Sequence, residues 1–413
     1  MTWQPDMKDD GSGAVKGMQR KQASETSSVA NSQAGQRPVQ SGWYRRMQVF
    51  KWAWQGLDPL LLQEVQARIA VSTNKRTHED LIDTVIGYRP GNWNYEWSQE
   101  GALRMHDGKA ASAAGERDVA RKHFLQSCLF YTIAGYPHLR GDVLAEDAHV
   151  LANQAYRYAG QLMNDPLQII KVPYQGHELQ CYLHLPKTDE PVPLVIMAGG
   201  GDALQSDYFR VFRDYLGPLG IAVLGVDMPG VGYAEHWKLD QDTCALHLQV
   251  LHHIQDNPWI NRHKIAMMGM RAGGHAAVRA AYLEPDLLAG VVAIGSPVHE
   301  AMVDKQLASR VPQMLLDQWA SRLGLDAAYP ELMMATVANF SLRRQGLLGS
   351  RRTSVPMLAI AHPNDEYGTM TDAQLIASSS VQGELVRLKR PTFASSIDTA
   401  FVTAAKWLAK RLL

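Results

Sequence analysis

Three cysteines in 413 residues, Cys128, Cys181 and Cys244, are too few, too far apart and odd in number to frame a disulfide-stapled fold, and no Cys-x-x-Cys pair occurs. An excess of charge of either sign is also missing. Lysine plus arginine and aspartate plus glutamate stand at 41 each, so no net field draws nucleic acid or an anionic membrane surface. Nowhere do 18 apolar residues follow one another, and the opening Met-Thr-Trp-Gln-Pro-Asp carries no apolar stretch of signal-peptide length. A cytoplasmic protein with small-molecule or protein partners is predicted, without nucleic acid and without membrane. Phosphate-binding signatures are absent too: there is no Walker loop and no full Gly-x-Gly-x-x-Gly. Three zincin-like starts, His78-Glu79, His177-Glu178 and His299-Glu300, have Ile82, Cys181 and Val303 where the second histidine belongs. No metal and no cofactor are expected.

What is present suffices for a large core: 46% of residues are hydrophobic and 20% charged. Residues 8–40 are rich in Ser, Gln, Gly and Lys without apolar period, which predicts a mobile tail over 1–42. From Trp43 the texture becomes helical. Asp58-Pro59 reads as an N-cap with proline at the first helical position, followed by the stripe Leu60, Leu61, Val65, Ile69. Further helices are expected near 78–87, 117–134 and 144–163, giving a helical N-terminal domain over 43–165.

Beyond Pro166 the period changes. Two strands, 167–172 and 178–185, flank a glycine-containing turn. Apolar runs at 194–197, 222–226, 265–268, 290–294, 357–361 and 384–388 then alternate with helical segments, and an amphipathic helix over 394–412 closes the chain. Strands apolar on both faces and separated by helices require a mostly parallel sheet covered on two sides. An α/β-hydrolase core over 166–413 follows. Its long connection at about 297–352 would lie over the carboxyl edge of the sheet, where open α/β sheets bind ligands. A lid and a plain packing excursion are both open readings of it.

The chemistry concentrates at Gly269-Met270-Arg271-Ala272-Gly273. The spacing is that of the Gly-x-Ser-x-Gly nucleophile elbow, with arginine in the serine position. A guanidinium stays protonated and has no lone pair with which to attack an ester. Asp365, in His362-Pro-Asn-Asp, fits the acid slot. The loop after the last strand, 388–396, holds no histidine, and none occurs after His362, which would need an unusual geometry to serve. The run Gly199-Gly200-Gly201-Asp202 resembles the oxyanion loop of esterases. Asp202 and Arg271 should hang from adjacent strand ends, which leaves two readings of Arg271. It forms an ion pair with Asp202 that plugs the pocket, or, with the N–H groups of Gly200, Gly201 and Ala272 at a helix N-terminus, it receives a carboxylate or phosphate. Asp227-Met-Pro-Gly-Val-Gly232 is expected to be a turn that needs its glycines for backbone conformation. Ser296 is a weak candidate for a nucleophile, and Ser378–Ser380 resemble a polar loop before the last strand.

The segments Asp58-Pro59 through Ile69, Asp83-Thr-Val-Ile-Gly-Tyr-Arg-Pro-Gly-Asn-Trp93, Tyr136-Pro-His-Leu-Arg-Gly-Asp142, Asp227 to Gly232 and Gly269 to Gly273 together resemble the bacterial fermentation–respiration switch esterase family from Trp43 onward. The resemblance implies arginine in the elbow and a nominal carboxylic ester hydrolase. It also implies a partner, the unphosphorylated glucose-specific enzyme IIA of the sugar phosphotransferase system, and control of carbon flux between fermentation and respiration. Without the serine and histidine of a triad, a binding protein is favoured. The alternative is an enzyme acting on a small ester or 2-oxo acid, with Arg271 clamping a carboxylate and Asp202 or Asp365 handling protons.

Overall fold

The computed structural model describes residues 42–165, 167–186, 189–326, 329–365 and 367–413, and these belong to one compact unit. The expected tail lies outside the described residues except for Gly42. Eight strands form a single sheet: β1 (Gln168–Tyr174), β2 (His177–His184), β3 (Val192–Ala198), β4 (Ala222–Val226), β5 (Ile260–Met270), β6 (Gly290–Ile294), β7 (Met357–Ala361) and β8 (Gly383–Arg387). Their spatial order is β1-β2-β4-β3-β5-β6-β7-β8, with β2 antiparallel to both β1 and β4 and every other pair parallel. All eight coincide with the runs read from the sequence. Gln175 and Gly176, both at positive φ, turn β1 into β2 as a two-residue hairpin.

Alternation along β3 explains why its run is apolar throughout: Leu194 and Ile196 enter one core, Val195 and Met197 the other, on opposite faces of the sheet. Each such side chain, fully buried, contributes about 1.5–3 kcal/mol of transfer free energy.

The N-terminal part is helical, with α1 (Val49–Gln55), α2 (Pro59–Ala70), α3 (Trp93–Ala113), α4 (Arg117–Gly135) and α5 (Val143–Gln161). Asp58 caps α2 as expected, accepting from the Leu60 N–H at 2.9 Å. Helix α3 carries no aliphatic stripe. Its buried face includes Ser98, Gly101, Gly108 and Ala111, and a methyl group on Gly108 would sit 2.7 Å from the Phe124 ring of α4. Trp93, Trp97 and Met105 are buried from the same helix, and close approach through the small residues completes its contact with α4.

The helix expected near 78–87 does not form. Asp83, buried, accepts from the Tyr44 and Arg45 N–H groups and from Arg45 Nη1, while the Thr84 hydroxyl donates to Leu81 O at 2.7 Å. Side chains that hydrogen-bond locally or across to another segment compete with helical backbone pairing. The segment is instead held by isolated bridges, Arg76 to Val85 and Gly42 to Leu81.

After the sheet begins come α6 (Ala245–Ile254), α7 (Ala272–Leu283), α8 (Gln313–Leu323), α9 (Pro330–Ala338), α10 (Met370–Ser378) and α11 (Ile397–Leu412), the last preceded by a 3-10 turn at Ala394–Ser396. The connection from β6 to β7 contains α8 and α9 and two shorter helices, Glu300–Val303 and Lys305–Ser309. It lies over the carboxyl edge of the sheet and, with α1, encloses a cavity of about 1160 Å³. No helix among the described residues is long and apolar enough to cross a membrane.

Candidate active site

The elbow is built as its glycines require. Between β5 and α7, Arg271 adopts φ 53°, ψ −122°, a region that non-glycine residues seldom enter and that marks a functional turn when the surroundings enforce it. A Cβ on Gly269 would lie 2.2 Å from the Gly273 carbonyl carbon, and one on Gly273 would lie 2.3 Å from Ala198 O. Both positions exclude any side chain. The Arg271 N–H donates to Ile294 O at 3.2 Å and the Gly273 N–H to Gly199 O at 2.7 Å, tying the elbow to the neighbouring strand ends.

The expected contact between Arg271 and Asp202 is not the one the fold makes. Arg271 Nη1 donates to both oxygens of Asp365, at 2.7 and 2.6 Å, and to Gly295 O at 3.0 Å. The acid-slot residue after β7 is thus the arginine's counter-ion. Asp365 Oδ1 also accepts from the Tyr367 and Gly368 N–H groups, and its side chain is 2% exposed. The guanidinium lies 4.5 Å from the Phe393 ring centroid and 6.0 Å from that of Tyr367. Cations stacked on an aromatic face keep their N–H edges free for other partners.

Asp202 is held from the other side. Gln48 Nε2 donates to its Oδ2 at 2.6 Å, and Lys51 Nζ, paired with Asp207 at 3.0 Å, adds its charge. Burial pushes the Asp202 carboxyl up, but the Lys51 ammonium and the Gln48 hydrogen bond outweigh it and leave it below the usual range. Burial likewise opposes the charge of Lys51, and Asp207 and Asp202 overcome it. Gln48 and Lys51 come from α1 and its N-cap, and no motif around them marks them for this site.

Arg322 is a second residue that sequence reading passed over. Almost fully buried, it donates from Nε and Nη2 to Gly201 O at 3.0 and 2.8 Å, from Nη1 to His138 O at 2.6 Å and from Nη2 to Pro137 O at 2.9 Å. Burial pulls its pKa down to about 10. One guanidinium therefore joins the lid helix α8, the glycine loop and the turn between α4 and α5. The signal was a cation inside the apolar stripe Met314, Leu316, Ala320, Leu323.

No histidine is poised as a base here. His362 Nδ1 accepts from the Asn364 N–H at 3.1 Å, which places the proton on Nε2, 2.5 Å from Arg390 O. His275 is buried on α7 between Thr243 Oγ1 and Phe340 O, and burial drives it down to about 4. Asp227 behaves as a turn support: it accepts from the Gln205 and Tyr233 N–H groups, with Gly230 and Gly232 at positive φ. Ser296 Oγ packs against Gly274 of α7, where a methyl group would meet it at 1.8 Å, and Ser380 Oγ bonds Val355 O at 2.7 Å. Among the described residues no cluster of three potential metal ligands occurs.

Arg271, Ala272, Gly199 to Asp202 and Met270 form one wall of the cavity; α1 with the preceding Arg46 and Met47, the β6–β7 connection and Phe393, Ile397 and Phe401 form much of the rest. Gly200, Gly201 and Ala272 are thus brought together with Arg271, while Asp365 lies beneath it. The first-turn N–H groups of α7 have no acceptor within the helix itself and face this end of the sheet.

A parallel sheet with two antiparallel leading strands, helices on both faces, and a strained strand-to-helix elbow at the carboxyl edge define an α/β-hydrolase. Solved structures agree on the fold: the 2,6-dihydroxy-pseudo-oxynicotine hydrolase superposes with TM-score 0.71 at 18% identity, over 88% of this chain and 95% of that one. Wild-type AbyA5 gives 0.64 at 19%, over 86% and 95%. Within that class the chain belongs to the FrsA-like esterase family, whose profile, described as Esterase FrsA-like, matches residues 3–413. Similar relatives include the esterase FrsA of Photobacterium profundum, 40% identical over 90% of this chain and 89% of that protein. That of Escherichia coli O157:H7 is 40% identical over 94% and 95%.

Proposed function

We propose that this chain uses its hydrolase pocket as a receptor for a small carboxylate or ester held by Arg271, and that it regulates carbon flux between fermentation and respiration from the cytoplasm by docking the unphosphorylated glucose-specific enzyme IIA. The observation that carries the pocket reading is the one-sided engagement of Arg271. Its Nη1 makes all of the side chain's bonds, to Asp365 and Gly295, so Nε and Nη2 have no acceptor among the described residues, on a side chain that lines the cavity. Two adjacent N–H donors in a planar fork match a carboxylate.

An acyl-enzyme route needs a nucleophile and a base in hydrogen-bond reach of it. Arginine supplies neither, and both nitrogens of His362 are engaged. Binding is therefore favoured over turnover. The partner rests on the resemblance described above. The test is thermal shift with pyruvate as the probe: stabilisation of the parent that disappears in Arg271→Ala supports the reading, and equal stabilisation of both removes it. Calorimetry with phosphorylated and unphosphorylated enzyme IIA tests the partner, with heat expected only for the unphosphorylated form.

One observation favours a second reading, an enzyme for a small ester or 2-oxo acid. Asp202 is kept ionised on the cavity wall by Lys51 and Gln48, as a general base has to be. Short-chain ester hydrolysis separates the two: equal residual rates in the parent and Arg271→Ala take the site out of any catalytic account.

A further inference from the structure

We infer that the cavity binds a single-chain aliphatic acid, its carboxylate received by Arg271 and Arg46 and its alkyl chain lying under the lid. The inference rests on the anion reading of Arg271 and adds the tail and a second cation.

Volume is the first argument. At about 1160 Å³ the cavity exceeds the span of roughly 300–1,000 Å³ usual for drug-sized ligands, and a three-carbon acid fills a small corner of it. The second is the lining. Away from the elbow the walls are mostly apolar, with Met302, Met334, Leu316, Trp319, Val337 and Phe393 from the β6–β7 connection and the loop after β8, interrupted by Asp304, Lys305, Glu331 and Arg344 of that connection. Water against the apolar stretch of that wall has few polar partners, and flexible methionine side chains adapt to an unbranched chain.

Charge is the third. Lys51 is neutralised by Asp207 and Asp202, and Arg344 stands at the lid. Arg46 differs in place: like Lys305 and Arg344 it lines the cavity and makes no salt bridge among the described residues, but its guanidinium lies 5.5 Å from the Tyr367 ring that Arg271 also approaches. Two guanidinium groups thus lie against one aromatic ring at the elbow end of a largely apolar chamber, and of the two Arg271 alone has a carboxylate partner among the described residues, Asp365. A ligand with one negative charge at one end and a long apolar body completes that arrangement.

The experiment is isothermal calorimetry of the full chain with butyrate, hexanoate, octanoate, decanoate and decanol, all below their aggregation concentrations. The expected result is a dissociation constant that falls about three- to fourfold per added methylene, with decanol at least tenfold weaker than decanoate. Arg46→Gln, which breaks no ion pair, should weaken decanoate about tenfold and leave decanol unchanged. Val337→Trp should abolish the gain beyond hexanoate. If butyrate and decanoate bind equally well and both depend on Arg271, the aliphatic-acid inference falls while the small-anion receptor stands. If decanol equals decanoate, and Arg46→Gln and Arg271→Gln change neither, the anion reading falls. No binding of any member overturns the inference.

Discussion

Arg271 meets both oxygens of Asp365 through the single nitrogen Nη1, at 2.7 and 2.6 Å, across 94 residues of sequence. The carboxylate is nearly inaccessible while the arginine side chain is 29% exposed, so the pair is anchored at its acidic end. Removing the cation leaves a buried charge with two backbone N–H partners. Arg271→Met is therefore expected to lose about 2–4 kcal/mol, the cost of stranding a buried carboxylate discounted for the open side of the pair. The double variant Arg271→Met/Asp365→Asn should recover at least half of that in urea unfolding. A double variant less stable than Arg271→Met would refute the pairing as the source.

Restoring serine to the elbow is expected to fail as a route to an esterase. Arg271→Ser provides the nucleophilic oxygen, but the acid slot leads to no base, since His362 holds the Asn364 N–H on one nitrogen and Arg390 O on the other. Hydrolysis of p-nitrophenyl butyrate by Arg271→Ser should stay within about threefold of the parent, and a fluorophosphonate probe should leave the protein unlabelled. Stoichiometric labelling would reveal an activated serine and a base not apparent in the geometry.

The glycines of the site separate into those that the backbone requires and those that a ligand could use. At Gly273 a methyl group would be 2.3 Å from Ala198 O and 2.7 Å from Gly199 O, both backbone atoms, whereas at Gly201 its nearest neighbours are 3.8 Å away. Gly273→Ala should cost about 3 kcal/mol or more by overpacking, and Gly201→Ala under about 1 kcal/mol. Chemical denaturation of the two variants checks the contrast. Similar losses would mean that the elbow relaxes more freely than its contacts allow.

Strands and site differed in how readable they were. The inner strands announced themselves because a sheet covered on both faces demands continuous apolar runs such as Val192–Ala198, and this demand is local; the edge strands β1 and β8 are exposed along much of their length and carry only short apolar pieces. Helix α3 hid because its buried face mixes Trp93, Trp97 and Met105 with the polar Asn94, Glu96 and Ser98 and with Gly101 and Gly108, where α4 comes close, so no aliphatic stripe shows. Residues 78–87 misled because Asp83 and Thr84 divert backbone groups from helical pairing. Within the site, Arg271 and Asp365 could each be picked out from motif and strand order, but not as partners. Asp202 was drawn toward Arg271 by the adjacency of strand ends. What claims it instead is Gln48, 154 residues earlier, on a helix whose position over the glycine loop no local pattern encodes.

Acid should destabilise this protein well before its carboxylates titrate. His184, His247 and His275 are buried, and burial pulls them down to about 3, 4 and 4. In the unfolded chain a histidine titrates near 6.5, so between about pH 6.5 and 4 the unfolded state binds more protons and stability falls as pH falls, by up to about 1.4 kcal/mol per pH unit for each group. Asp227 works the other way. Burial pushes it up to about 7, so the folded state holds its proton between about pH 4 and 7, and stability from this group is lost as pH rises through that window. Burial lowers His138, His149 and His299 as well and raises Asp372 alongside Asp227, so six histidines against two carboxyls fix the sign. Urea unfolding should show a clear loss of stability from pH 6.5 to 5, with a shallower slope in His275→Gln and a steeper one in Asp227→Asn. A profile that is flat, or that rises on acidification, would show the histidines to be solvated rather than buried neutral.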